Sequence, residues 1–181
     1  LLEHGDGGIL THQLVSELFM ARFSNSILDR GEDSAVMAVG AERICFTTDS
    51  YVINPVFFPG GDIGSLAVHG TVNDLAMCGA EPRYISAGFI IEEGFSVAEL
   101  EKISASMAAA AEKAGVQIVT GDTKVVHRGA ADGLFINTAG IGTISYPGVV
   151  SVASIREGDA VILNGTVGDH GSAVLHEREE L

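Results

Sequence analysis

At 181 residues, with 46% hydrophobic and 19% charged side chains, the chain has enough apolar material for one good core, which excludes a disordered polypeptide. A net charge of -14 with no basic stripe argues against a nucleic-acid partner, although an acidic protein still takes an anionic nucleotide where a divalent metal reverses the local sign. No apolar run approaches a membrane span, no secretory leader precedes the first motif, and Cys45 and Cys78 lack paired metal spacing, so they read as buried thiols of a cytoplasmic protein.

In chain order, the glycine-rich stretch His4-Gly5-Asp6-Gly7-Gly8 precedes a helix expected from Thr11 to Phe23, with Leu14, Val15, Leu18 and Phe19 on one face. Strands are expected over Ser34–Val39 and Arg43–Thr48, then a Pro- and Gly-rich loop over Asn54–Gly61. A helix from Asp62 to Cys78 stops at Gly79, and a strand covers Arg83–Ile91. The clearest helix opens with a Ser96/Glu99 capping box and carries Val97, Leu100, Ile103, Met107 and Ala111 at 3.6-residue spacing. Gly115 closes it. A strand over Val116–Thr120 then delivers Gly121-Asp122-Thr123-Lys124, and a turn near Gly129 leads to an apolar strand over Leu134–Ile144. This alternation predicts an α+β layered domain over residues 1–150. Pro147–Gly158 reads as a boundary, with a strand at Ala160–Leu163 and a helix over His170–Leu181 opening a second α/β domain at 151–181.

Asp33, Asp49, Asp74 and Asp122 sit in separate short motifs, each beside an apolar segment, and are the expected metal ligands. Hard carboxylate oxygens suit Mg²⁺ bridging to phosphates. Asp33 also fits a plain turn, and Asp49 a plain strand end. Asn73 and Asp74 interrupt an apolar helix, where an unpaired carboxylate is costly. Asp62 is either a helix N-cap or a nucleotide contact, and these are compatible because helix N-termini favour anions. Lys124 stands apart from Lys102 and Lys113, so it reads as a phosphate clamp, with a local ion pair to Asp122 as the alternative. His127 could join that site or lie on the surface. Gly7 and Gly8 could offer backbone N–H groups to phosphate.

Taken in order, these motifs resemble the ATP-binding half of the aminoimidazole ribonucleotide synthetase (PurM-like) superfamily. Within it they are most similar to the HypE family of hydrogenase maturation proteins. The resemblance rests on Thr48-Asp49-Ser50-Tyr51-Val52, Phe57-Phe58-Pro59-Gly60-Gly61-Asp62-Ile63-Gly64, Gly70-Thr71-Val72-Asn73-Asp74-Leu75-Ala76 and Val119-Thr120-Gly121-Asp122-Thr123-Lys124-Val125-Val126. Gly168-Asp169-His170-Gly171 and Arg178-Glu179 follow the same pattern.

The resemblance implies a PurM-type N-terminal domain that binds ATP and Mg²⁺ and dimerises by joining sheets. It implies an ATP-dependent carbamoyl dehydratase that turns an S-carbamoyl group on its own C-terminal cysteine into a thiocyanate, for the cyanide ligands of [NiFe]-hydrogenase. HypF and the HypC–HypD complex are the implied partners. Asp33, Asp49 and Asp74 would hold Mg²⁺ with Asp122 in support, Asn73 would orient phosphate or metal-bound water, Thr123 would contact the nucleotide, and Lys124 would neutralise the transferring phosphoryl group. On this view the chain is an N-terminal piece lacking the acceptor cysteine, since Cys45 and Cys78 lie inside elements. The alternatives are a non-catalytic dimerisation and docking module, or another ATP-dependent enzyme of the superfamily.

Overall fold

A computed structural model describes residues 2–5 and 7–178. Asp6 of the glycine-rich stretch, Glu179 and the expected end of the last helix at Leu181 lie outside the described residues. The strands are β1 Ala35–Val39, β2 Glu42–Val52, β3 Phe57–Phe58, β4 Gly61–Asp62, β5 Glu81–Glu92, β6 Gln117–Val126 and β7 Leu134–Thr143. The helices are α1 Ile9–Leu14, α2 Ala21–Phe23, α3 Ile63–Met77, α4 Val97–Ala114 and α5 Asp169–Glu177. A π-helical stretch, Val15–Met20, joins α1 to α2.

Five strands form one sheet in the order β1-β2-β7-β5-β6, antiparallel throughout except for the parallel pair β5–β6. α4 is the crossover that a parallel pair requires. Burial alternates along β2 and β7, as it must when one sheet face is covered and the other is not. The covered face carries Cys45, Thr47, Tyr51, Ile85, Ala87, Leu134, Ile136 and Thr138 against α3 and α4. The open face presents Phe46, Val52, Tyr84, Ile90 and Ile141.

α3 is seated unusually close to its neighbours. A Cβ at Gly64 would lie 2.5 Å from the Ile103 carbonyl oxygen of α4, one at Gly70 would lie 2.2 Å from the Tyr51 hydroxyl, and one at Gly140 would lie 2.6 Å from Thr71. Its N-terminus is fixed by a reciprocal capping box. The Asp62 carboxylate accepts from the N–H groups of Gly64 (2.7 Å) and Ser65 (3.1 Å), while Ser65 Oγ accepts from the Asp62 N–H. At α4 only half of the expected box forms, with Ser96 Oγ accepting from Glu99 N–H.

Several expectations need correction. The Asn54–Gly61 loop contains the short β3–β4 hairpin. The Gly121-Asp122-Thr123-Lys124 motif lies inside β6 and not beyond its end, because parallel pairing with β5 continues to Val126. A bulge falls between Ile85 and Ser86, whose partners on β6 are Ile118 and Thr120, so Val119 is the extra residue. Ala160–Leu163 is not a strand. No strand of the described residues pairs with it, and Val161, Ile162 and Leu163 are exposed. α5 packs on the first unit, where Val174 joins the main core and Arg178 Nε donates to the Asn54 carbonyl. A pairing partner is a tertiary fact, which an apolar run cannot announce on its own.

Candidate functional site

Three of the four motif aspartates gather at one end of the covered face. Asp33 precedes β1, Asp49 projects from β2 on the same side as Thr47 and Tyr51, and Asp74 lies in the last turn of α3. Thr47 joins two of them, through the Asp74 side chain and the Asp33 backbone. Its buried Oγ lies 3.0 Å from Asp74 Oδ2 and 3.1 Å from the Asp33 carbonyl, and Ser34 Oγ donates to the Asp74 carbonyl at 2.8 Å. Neither Thr47 nor Ser34 was singled out from sequence, where a Thr before a strand-end Asp looks like ordinary β-propensity.

Negative charge accumulates at this end of the sheet. Burial raises the Asp74 carboxyl above the usual carboxylate range, and Asp49 and Asp33 push it further, while the Thr47 hydrogen bond opposes them. Tyr51 is likewise raised, first by burial and then by its contact with Asp49. Arg83–Glu81 is the one ion pair among the described residues, so no basic side chain neutralises the three carboxylates.

The expected four-carboxylate cluster does not close within one chain. Among the described residues, no three His, Cys, Asp or Glu side chains converge as a metal-holding group. Asp122 is the reason for the largest discrepancy. The pairing runs from Asp122 to Gly88 on β5, to Asn137 on β7 and to Ser50 on β2, which places it three strands from Asp49 and on the open face. Lys124 shares that open face and is not ion-paired with Asp122. Thr123 points to the other side, into a groove of about 540 Å³ that runs along β6 beside Ala87 and Phe89. His127 follows β6 in an exposed turn, where its carbonyl accepts from Ala130 N–H.

Asp62 is engaged as the α3 cap, distant in sequence and at the other end of the helix from Asp74. Asn73 is exposed beside Asp74. Gly7 and Gly8 sit at the start of α1, where Gly7 N–H donates to Thr11 Oγ at 3.0 Å, and they are not drawn into the group around Thr47. Cys45 and Cys78 are buried together. Burial pushes the Cys45 thiol up to about 11, and the Cys78 thiol donates to the Ser34 carbonyl. Such thiols are inert.

Carboxylate oxygens are hard donors of the kind that Mg²⁺ carried with phosphate takes. Comparison with known proteins agrees with this fold. The chain is 56% identical over 180 residues to carbamoyl dehydratase HypE of Bradyrhizobium diazoefficiens, a match covering 99% of this chain and 52% of that protein. It aligns with HypE in a crystal structure of a HypE–HypF complex with a TM-score of 0.86 and 53% identity, covering 93% of this chain and 54% of that one. A crystal structure of HypE in complex with ATP aligns with a TM-score of 0.75 and 52% identity over 100% of this chain and 54% of that one. The chain thus spans about half the length of these relatives. Residues 31–144 match the family described as AIR synthase related protein, N-terminal domain, which covers the whole sheet, α3 and α4, and the chain belongs to that family.

Proposed function

We propose that this chain is the nucleotide-binding half of a cytoplasmic, ATP-dependent carbamoyl dehydratase of the HypE type. The observation that carries this reading is the half-buried Asp74, held by Thr47 and facing the like charges of Asp49 and Asp33 without a neutralising base, in a chain 56% identical to a carbamoyl dehydratase. Asp33, Asp49 and Asp74 would hold Mg²⁺, which supplies charge neutralisation for the ATP phosphates. Asn73 would orient phosphate beside them, and the N–H groups of Gly7 and Gly8 would close over it.

The reaction fits such a site. A carboxamide oxygen is a poor leaving group until phosphorylated, and phosphoryl transfer is governed by positioning and charge stabilisation. The oxygen of the S-carbamoyl group attacks the γ-phosphorus, ADP leaves, and the nitrogen gives up one proton. Loss of phosphate with the second nitrogen proton leaves S–C≡N. Neither Cys45, within β2, nor Cys78, just past the end of α3, can carry this group, because both are buried.

Asp122 and Lys124 enter from a second copy in this reading. The open sheet face, with Phe46, Val52, Tyr84, Ile90 and Ile141, is the surface on which two copies would join, and both charged residues stand on it. Lys124 would then neutralise the transferring phosphoryl group. HypF would deliver the carbamoyl group, and the HypC–HypD complex would accept the cyanide. Calorimetric titration with ATP and Mg²⁺ tests the reading. Binding by the wild type that is lost in Asp74→Asn supports it, and a folded wild type that does not bind refutes it.

A further inference from the structure

The chain does not leave the sheet as a free linker. After β7, residues 146–153 turn back onto β2 and onto the segment before β1, and they are tied down at both ends. Segments at the edge of a domain ordinarily carry few such contacts. At the near end Arg43 of β2 serves twice. Its carbonyl accepts from Ile144 N–H at 3.0 Å, and its Nη1 donates to the Tyr146 carbonyl at 3.1 Å and the Gly148 carbonyl at 3.3 Å. At the far end both carboxylate oxygens of Glu32 are engaged. One accepts from Ser151 Oγ and the other from Val152 N–H at 3.4 Å. Ser151 Oγ accepts in turn from Ala153 N–H at 3.1 Å, which seats the short 3₁₀ turn Val152–Ser154 against the same carboxylate.

Between the two ties the chain spans a void. Val150 touches the turn just past α3, where a Cβ on Gly79 would lie 3.1 Å from its Cγ2. Beneath lies a cavity of about 570 Å³, lined by Arg30, Val36, Arg43, Cys78, Val149 and Val150. A close-packed segment resists opening at every side chain, whereas one that bridges a void is held mainly where it is fastened. Both fastenings are hydrogen bonds to a charged group, the stronger kind.

We propose that residues 146–153 are a latched strap over this cavity, fastened by Arg43 and Glu32, that opens as one unit while the sheet stays folded. The proposal stands without the nucleotide reading. It bears on the acidic end all the same, because Glu32 is followed directly by Asp33 and Ser34. The Asp33 carbonyl accepts from Thr47 Oγ, and Ser34 Oγ donates to the Asp74 carbonyl, so strap and acidic end share one three-residue support.

The two thiols report on it. Cys78 is buried in the cavity wall, and Cys45 is buried within β2. In the 181-residue chain, modification of each by iodoacetamide is followed by mass spectrometry at urea concentrations below the unfolding transition. Lifting the strap exposes little surface, so Cys78 is expected to react faster than Cys45 and with a weaker dependence on urea. Glu32→Ala and Arg43→Ala should each speed Cys78 about tenfold, the loss of bonding to a charged group, and the double variant about a hundredfold, because a unit breaks both latches to open. Gly64→Ala, at the far end of α3 from Cys78, should speed Cys45 through global unfolding and leave Cys78 unchanged. Glu32→Gln and Arg43→Met, which keep the side-chain volume, replace any alanine variant that does not fold. A Cys78 that reacts in step with Cys45 at every urea concentration, or that is indifferent to Glu32 and Arg43, overturns the strap. A double variant that only sums the two single effects shows ends that fray separately, and it overturns the single unit.

Discussion

Asp74→Asn is expected to make the protein more stable at neutral pH while removing its capacity for Mg²⁺ and ATP. Asn has nearly the volume of Asp and keeps an oxygen that accepts the Thr47 hydroxyl, now 3.0 Å away, so the substitution removes charge and little else. That charge is half-buried and faces Asp49 and Asp33, which raise the carboxyl along with burial itself. Like-charge repulsion at a partly exposed site is worth about 1 kcal/mol. The weaker hydrogen bond to a neutral acceptor offsets part of the gain. The net expectation is about 1 kcal/mol at pH 7, or a rise in Tm of about 2–4 °C for a domain of this size.

The sign follows from linkage. A carboxyl whose folded pKa lies above its unfolded value stabilises the fold below the unfolded value, and that contribution disappears as pH rises through the folded one. The advantage of Asp74→Asn therefore appears as pH rises above 3.8, the ordinary value of an aspartate carboxyl, and is absent in acid, where the wild-type carboxyl is protonated in both states. Urea denaturation at pH 7 and again near pH 3.5 reads the difference. A variant less stable than wild type at pH 7, or a difference that is the same at both pH values, would refute the picture of an unneutralised acidic group.

Three other expectations concern the scaffold and the open face. Gly64→Ala sets a methyl group against the Ile103 carbonyl at 2.5 Å, a backbone atom that cannot swing aside, and should cost about 1–3 kcal/mol in urea titrations with little change in m. Glu92 accepts from Gly129 and Gly133 N–H, which hold its carboxyl below the usual range with help from Arg128. Its contribution is present at neutral pH and is lost as pH falls through the folded pKa, so Glu92→Gln should abolish an acid-induced rise in amide exchange across residues 129–133. Lys124→Ala, on an exposed strand, should stay within about 0.5 kcal/mol of wild-type stability while nucleotide turnover collapses in any form that retains it. Equal turnover would remove Lys124 from the phosphate site.

The sequence made most of the scaffold legible because its signals are local. The α4 stripe, with Ile103 and Met107 fully inside, and the Gly115 stop in a left-handed conformation were written in spacing and residue type. The acidic positions were legible for the same reason, as carboxylates where apolar residues prevail. What escaped depended on pairing. The continuation of β6 through Gly121 requires β5 alongside it, and the failure of Ala160–Leu163 to become a strand reflects a missing partner among the described residues. Thr47 and Ser34 escaped because a hydroxyl that serves a distant carboxylate has no local signature. The grouping of Asp122 with the other aspartates failed on facing, which is fixed by the pleat and by the bulge at Val119.

That bulge governs more than strand shape. Asp122, Thr123 and Lys124 are contiguous in sequence, yet the pleat sends the middle one to the helix layer and the outer two to the opposite side. Val119 sets the parity of everything that follows it on β6. Were Val119 drawn into the ladder opposite Ser86 instead of bulging, each later residue of β6 would shift by one partner, turning Thr123 outward and setting the Asp122 carboxylate and the Lys124 ammonium on the side of Ala87 and Phe89. A single uncounted residue upstream thus decides which chemistry this edge offers to a neighbour, without altering any letter of the motif itself.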